Sequence, residues 1–162
     1  MAEHLVLADG TTLGAVMNLI EQRIGWMEQI GLRQWNTDGY QAAYPPAYFA
    51  DKMRRGELYM LKRDGRVAAA AVLLEADDRW PEGGSALYLH TFVADRREKG
   101  AGGALLALAE ALARERGKDL LRLDCAADNP RLNDYYAQKG YRPAGRCAEG
   151  GYAGILREKR LR

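Results

Sequence analysis

The chain has 162 residues, 48% of them hydrophobic and 28% charged, the size and balance of one soluble globular domain with a sizeable core. Its 24 Lys and Arg against 22 Asp and Glu leave a net charge of +2, too little for a general nucleic-acid-binding face. Two cysteines, Cys125 and Cys147, make neither a disulfide framework nor a zinc site and fit a reducing compartment, no apolar run reaches transmembrane length, and the opening Met-Ala-Glu-His-Leu lacks the basic and apolar regions of a signal peptide. The expectation is a cytoplasmic protein with no metal, no membrane and no nucleic acid, as a monomer or homodimer.

Glu3 to Ala8 alternates and predicts a short strand. Leu13, Val16, Met17, Ile20, Ile24 and Met27 share one helical face and predict a helix over 12–30, with Thr11 or Thr12 as N-cap and Gly31 as stop. Residues 35–46 read as a loop, and Pro46 opens a second helix to Arg54. Strands at 58–62 and 67–75 flank Asp64-Gly65, a hairpin turn signal. A loop over 77–85 leads to a strand at 86–93 and a helix reaching Arg116. A strand at 119–125, a helix capped by Asp128 or Asn129 and ended by Gly140, and strands at 141–146 and 151–158 complete the chain. Early hairpins followed by strands alternating with helices define an α/β (α+β) class with a mixed sheet, in one domain spanning 1–162.

The most informative segment is Arg97-Glu-Lys-Gly-Ala-Gly-Gly103, between the strand at 86–93 and the Ala- and Leu-rich helix after it. A Gly-containing loop entering a helix N-terminus gathers backbone N–H groups toward one point, which attracts phosphate. Glycines permit close backbone approach, and Arg97 and Lys99 add positive potential.

With this loop, Asn129 followed by Tyr136 and Gly140-Tyr141, and the ending Gly154-Ile-Leu-Arg-Glu-Lys159, the chain resembles the GNAT superfamily of acetyl-CoA-dependent N-acetyltransferases. Ala94 stands where relatives often carry Pro, and the departures are larger before residue 58. The resemblance implies a mixed, mostly antiparallel central sheet of six to seven strands flanked by about four helices. It also implies acetyl-CoA as cosubstrate. The backbone amides of Glu98, Lys99, Gly100, Ala101, Gly102 and Gly103 would hold the pyrophosphate, with Arg97 as a further cofactor-binding residue of the loop. Main-chain groups at His90, Thr91 and Phe92 would pair with pantetheine like an added strand. Asn129 would bond the pantetheine arm, cap a helix, or both. Tyr136 would stand at the thiol end, where a phenol can protonate the departing thiolate; its neighbour Tyr135 is read as core.

An amine acceptor must lose a proton before it attacks. His90 offers an imidazole of suitable basicity, Asp124 lies on the next strand where some relatives place an acidic base, and a chain of waters is the third candidate. Arg122 shares a strand face with Asp124, so a salt bridge there or to another neighbour is the structural reading of Asp124. Trp35, Asp78 and Trp80 lie in loops that this architecture brings to the acceptor side, and an aromatic wall with carboxylates suits a small cationic amine. Cys125 has no activating partner nearby in sequence, and direct attack by the amine needs none. The expected activity is acetyl transfer to a primary amine of a small molecule. A CoA-binding regulatory module without turnover and a protein N-terminal or lysine acetyltransferase are the alternatives; a dinucleotide-binding domain fits poorly, because the loop follows several strands.

Overall fold

The computed structural model describes residues 3–31, 44–149 and 151–162. It contains strands β1 (Leu5–Leu7), β2 (Leu58–Arg63), β3 (Arg66–Leu74), β4 (Ala86–Ala94), β5 (Leu120–Ala126), β6 (Arg142–Glu149) and β7 (Tyr152–Arg160). Its described helices are α1 (Leu13–Ile30), α2 (Pro46–Arg54), α3 (Ala101–Glu115) and α4 (Pro130–Gln138). The seven strands form one sheet in the order β1-β2-β3-β4-β5-β7-β6. The β4–β5 pair is parallel and the other registers described are antiparallel, so the fold is a mixed, mostly antiparallel sheet with four helices among the described residues. No described helix is long and apolar enough to cross a membrane.

The contacts divide into two compact units, the first Met1–Leu73 with Thr91–Leu108, the second Leu74–His90 with Ala109–Arg162. In the first unit, β2 and β3 form a hairpin whose turn residues Asp64 and Gly65 both have positive φ, 50° and 77°. That backbone twist matches the strands, and Asp and Gly tolerate it. β1 pairs with β2, Leu5 opposite Leu61. Helix α1 buries Val16, Leu19, Ile20 and Met27. Its start differs from the expected cap: Thr12 occupies the N-cap position, but the Asp9 carboxylate accepts the N–H groups of Thr11 and Thr12 at 2.9 and 3.1 Å. Gly31 ends the helix at φ 77°, and Pro46 opens α2, which buries Phe49.

In the second unit, β5 pairs with β7 from Leu120 opposite Arg160 to Ala126 opposite Gly154, and β6 pairs with the other edge of β7. β4 pairs with β5 over Ala86 to Tyr88, while β4 itself continues to Ala94. Buried Glu110 is satisfied at both oxygens, by the Tyr141 hydroxyl at 2.7 Å and Lys159 Nζ at 3.0 Å. That pairing is what makes a carboxylate tolerable in the interior. Within β4, Thr91 has φ 52°, a conformation strained for a β-branched residue. Strain of about 1–3 kcal/mol persists where surrounding structure fixes it, and such residues cluster at functional sites.

Candidate active site

The loop from β4 into α3 is braced on several sides within the first unit. The Asp95 N–H donates to the Ala68 carbonyl at 2.8 Å, tying the loop's first residue to β3. The Asp95 carboxylate takes the Arg97 N–H at 2.9 Å and the Arg97 guanidinium at 3.1 and 2.9 Å. The Arg97 hydrogen bonds hold Asp95 below the usual carboxylate range. From the β2–β3 hairpin, Arg63 Nη1 donates to the Lys99 carbonyl at 2.6 Å and Arg66 Nη2 to Glu98 Oε1 at 2.9 Å. Gly100 has φ 74°, and the Ala104 N–H closes the first helical bond on its carbonyl at 3.0 Å. The amides of the first turn of α3 therefore aim out of the helix end, as an anion site requires.

Two details refine the expected cradle. The Glu98 N–H is committed to the Asp95 carbonyl at 3.0 Å and the Ala101 N–H to the Glu98 carbonyl at 3.2 Å. Lys99, Gly100, Gly102 and Gly103 are the amides to consider for a phosphate. A Cβ on Gly102 would stand 3.5 Å from Phe92 Cζ and 3.6 Å from Ala94 Cβ, so this glycine packs the helix against β4. A Cβ on Gly100 would meet nothing within 4 Å; open space lies in front of it, and its positive φ is what favours glycine. A loop with open space before it at a helix N-terminus fits a pyrophosphate. The Arg97 charge is largely matched by Asp95, while Lys99 is exposed.

A second constellation lies wholly in the second unit. One side-chain ligand atom from each of Asp77, His90 and Asp124 falls within 4.8 Å of the others. Arg79 organises them. Its main-chain N–H donates to Asp77 Oδ1 at 3.0 Å, its Nη1 to Asp124 Oδ1 at 3.0 Å, and its Nε to Glu149 Oε2 at 3.0 Å. Tyr152 donates its hydroxyl to Asp124 Oδ2 at 2.6 Å and offers its ring face to the Arg79 guanidinium at 5.7 Å. Both Asp124 oxygens are thus engaged, and the positive charge inside the cluster is already supplied by Arg79. Burial, then the Arg79 guanidinium, push the His90 imidazole below its ordinary 6.5, against the opposing pull of Asp124, Asp77 and Glu149. A neutral imidazole at neutral pH can accept a proton. Burial and the adjacent Asp124 charge raise the Tyr152 phenol far above its usual range, so it remains a donor.

The cysteines are not poised as nucleophiles. Burial raises the Cys125 thiol, whose Sγ donates to Asn133 Oδ1 at 3.2 Å, and Cys147 is pushed up to about 11 by burial and Asp124. A thiol so far from thiolate is a poor nucleophile.

Helix α4 carries Asn129 and Tyr136. The Asn129 side chain accepts the Leu132 N–H at 3.1 Å, the capping role. Asn133, unforeseen from sequence, donates to the carbonyls of Ala126 and Asn129 at 2.9 and 3.0 Å and fastens the helix to the end of β5. Tyr136 is buried, its ring edge-on to Tyr135 at 5.4 Å and Tyr141 at 5.8 Å. Tyr135 is the half-buried member of the pair, with Lys139 Nζ 5.5 Å from its ring centre, so the expectation of Tyr135 as core is reversed.

Of the residues expected on the acceptor side, Trp80 lies in a buried cluster. Trp35 lies outside the described residues. Trp80 is 9% exposed, packed with Ala86, Tyr88 and Leu156, and its ring carries the Arg122 guanidinium at 4.4 Å. Asp78 is exposed, while Asp77 joins the His90 cluster. Arg122 pairs not with Asp124 but with Glu158 at 3.0 Å, its cross-strand partner on β7. Asp124 instead takes Arg79.

Residues 26–141 match the Acetyltransferase (GNAT) family. The chain belongs to this family of acetyltransferases, whose acetyl donor is acetyl-CoA. It is 28% identical over 145 residues to the uncharacterized N-acetyltransferase YesJ of Bacillus subtilis (strain 168), covering 84% of this chain and 79% of that one. A GNAT-family acetyltransferase from Streptococcus agalactiae 2603 has a similar fold, with a TM-score of 0.80 at 16% identity over 98% of this chain and 95% of that chain. The PaiA N-acetyltransferase from Thermoplasma acidophilum, solved in complex with coenzyme A, gives a TM-score of 0.76 at 14% identity, covering 99% of each chain.

Proposed function

We propose that the chain is a single N-acetyltransferase domain that moves the acetyl group of acetyl-CoA to a primary amine of a small-molecule acceptor by direct attack. The observation that carries this reading is His90: an imidazole held neutral by burial and Arg79, with carboxylates beside it to receive the charge it acquires on protonation. Backbone amides of Lys99, Gly100, Gly102 and Gly103 hold the donor's pyrophosphate, and Asn129 bonds the pantetheine arm with the donors of its amide while its oxygen caps α4. Main-chain groups of β4 at His90, Thr91 and Phe92 lie along the pantetheine. They orient the donor, whose thioester supplies the electrophilic carbonyl, and they stabilise the carbonyl oxygen as it gains charge. His90 takes a proton from the ammonium form of the acceptor, the freed amine nitrogen bonds to the carbonyl carbon, and the nitrogen releases its second proton to solvent as the carbon–sulfur bond breaks. Tyr136 gives its hydroxyl proton to the departing sulfur and recovers one from solvent. Asp124, held by Arg79 and Tyr152, positions and balances His90 and is not the proton acceptor.

The test is His90→Gln assayed by thiol release with a panel of primary amines. Loss of the base lowers kcat/KM by about 100- to 10,000-fold with little change in acetyl-CoA affinity. Wild-type rates in this variant at neutral pH would assign proton removal to water.

A further inference from the structure

The loop between β3 and β4 supplies Asp77 and Arg79 to the His90 cluster, and it lies wholly in the second unit. Two successive residues of this loop rest on two successive same-face positions of β5. Arg79 bonds Asp124 at 3.0 Å, and the Trp80 ring centre lies 4.4 Å from the guanidinium carbon of Arg122. Arg122 and Asp124 share a face because a strand alternates with period two; Tyr88 stands beside Arg122 on β4 and Glu158 beside it on β7. His90 follows Tyr88 by two residues, so the row Tyr88–Arg122–Glu158 adjoins His90 and Asp124.

The Arg122 side chain is 9% exposed and engages four groups at once. Its Nε donates to Glu158 Oε1 at 3.0 Å, and its Nη1 to the Glu82 carbonyl at 3.1 Å and the Tyr88 hydroxyl at 2.9 Å. Its face lies on the Trp80 ring. The loop backbone passes so close that a Cβ on Gly84 would stand 3.2 Å from both Nη1 and Nη2. A flat guanidinium donates in its plane while stacking by its face, and an ammonium cannot do both. Arg122 thus holds Trp80 and Glu82 directly, and one peptide bond joins Trp80 to Arg79.

We propose that Arg122 is a positioning residue for His90: by seating Trp80 and Glu82 on β5, it fixes the loop so that the Arg79 guanidinium stands beside Asp124 and His90. The link to catalysis rests on His90 as the base of acetyl transfer; the placement of Arg79 does not. Asp77 and Arg79 of this loop, Asp124 of β5 and Glu149 of β6 set the field at His90, and Arg79 is the one of them that disfavours the imidazolium. Cys147 and Tyr152, under the same Asp124 charge, are raised well above neutrality and stay uncharged while His90 titrates.

The test follows the His90 imidazole by NMR in the free protein, with Arg122→Lys and Trp80→Leu as variants. Arg122→Lys keeps the charge and loses the planar fork; Trp80→Leu keeps every charge and loses the ring. Each loosens the loop and moves Arg79 off, so the His90 midpoint rises toward that of Arg79→Gln. At fixed pH on the acid limb, kcat/KM for thiol release falls about threefold, as a midpoint raised by about half a pH unit requires. In an Arg79→Gln background neither substitution moves the midpoint further, because the group through which both act is gone. A midpoint unchanged in both variants, even with a lower Tm, overturns the proposal, and so does a rise of equal size with and without Arg79. A midpoint that rises while the acid limb stays put upholds the positioning role and removes His90 as the base. If Arg122→Lys does not fold, Trp80→Leu and Gly84→Ala, whose Cβ crowds the guanidinium, decide the question by the same readout.

Discussion

Arg79 donates to Asp124 at 3.0 Å with both side chains mostly out of water, 17% and 9% exposed. In the proposed reaction this bond distinguishes the two candidate bases. It keeps Asp124 occupied as an ion-pair partner, and it places a cation in the field of His90, where it disfavours the imidazolium.

The pH dependence of His90 follows. His4 and His90 are the two histidines of the chain, so the His90 imidazole can be followed by NMR and assigned with His4→Gln. In the wild type it titrates below 6.5. Removing the cation in Arg79→Gln leaves only burial opposing the attraction of Asp124, Asp77 and Glu149, so the midpoint rises; Arg79→Lys keeps the charge and stays low. Because the reaction needs neutral His90, kcat/KM falls on the acid side through this midpoint, and the acid limb of Arg79→Gln moves to higher pH. A limb that stays put or moves to lower pH contradicts the coupling. Arg79→Gln also leaves a mostly buried Asp124 without its cation, a loss of about 3–5 kcal/mol for such pairs, visible as a lower Tm.

For Tyr136→Phe, turnover falls about 100-fold while acetyl-CoA affinity measured by calorimetry holds, because the hydroxyl is lost and the buried ring is kept. Unchanged turnover across the alkaline range reduces Tyr136 to packing against Tyr135 and Tyr141.

The two key glycines of the loop fail differently. Gly102→Ala is tolerated, since the added Cβ makes ordinary contacts with Phe92 and Ala94, whereas Gly102→Val crowds those side chains, shifts the helix end and weakens CoA about tenfold or more. Gly100→Ala meets no atom but must hold φ 74°, at a cost of about 1–2 kcal/mol seen in Tm. Calorimetry and thermal melts on the three variants separate packing from backbone strain.

Much of this arrangement was legible in the sequence. Helical periodicity located α1, Pro46 opened α2 where expected, Asp64-Gly65 marked the β2–β3 turn, and the glycine spacing after β4 marked the loop into α3. What escaped was long-range pairing. Arg79 looked like one charge in a polar loop, yet its partners Asp124 and Glu149 lie 45 and 70 residues away. Strand alternation placed Arg122 and Asp124 on one face correctly, but only the β5–β7 register shows that Glu158 stands opposite Arg122. Trp80 resembled a loop aromatic until Arg122 and Tyr88 closed over it. Neighbouring helix residues point about 100° apart, so Tyr135 and Tyr136 had to differ in burial, but nothing local chose which is inside.

The two arginines that brace the loop are also unequal. The Arg66–Glu98 pair leaves Arg66 72% exposed, and exposed pairs contribute about 0–1 kcal/mol, so Arg66→Ala changes CoA affinity less than about threefold. Arg63 is 24% exposed and holds the Lys99 carbonyl directly at 2.6 Å. Arg63→Ala frees the backbone next to Gly100 and weakens CoA by roughly tenfold, as loss of a charged hydrogen bond predicts. Equal effects of the two substitutions contradict this account of the cradle.

The central claim, acetyl transfer to an amine nitrogen with His90 as base, is tested most directly by one assay. Wild type and His90→Gln are incubated with acetyl-CoA and a panel of primary amines at neutral pH, with free thiol followed and the product identified by mass spectrometry. The account predicts an N-acetylated amine formed in step with free CoA, and about 100-fold or greater loss in His90→Gln at near-normal acetyl-CoA KM. Firm acetyl-CoA binding without turnover across the panel, or equal rates for the two proteins, would contradict it.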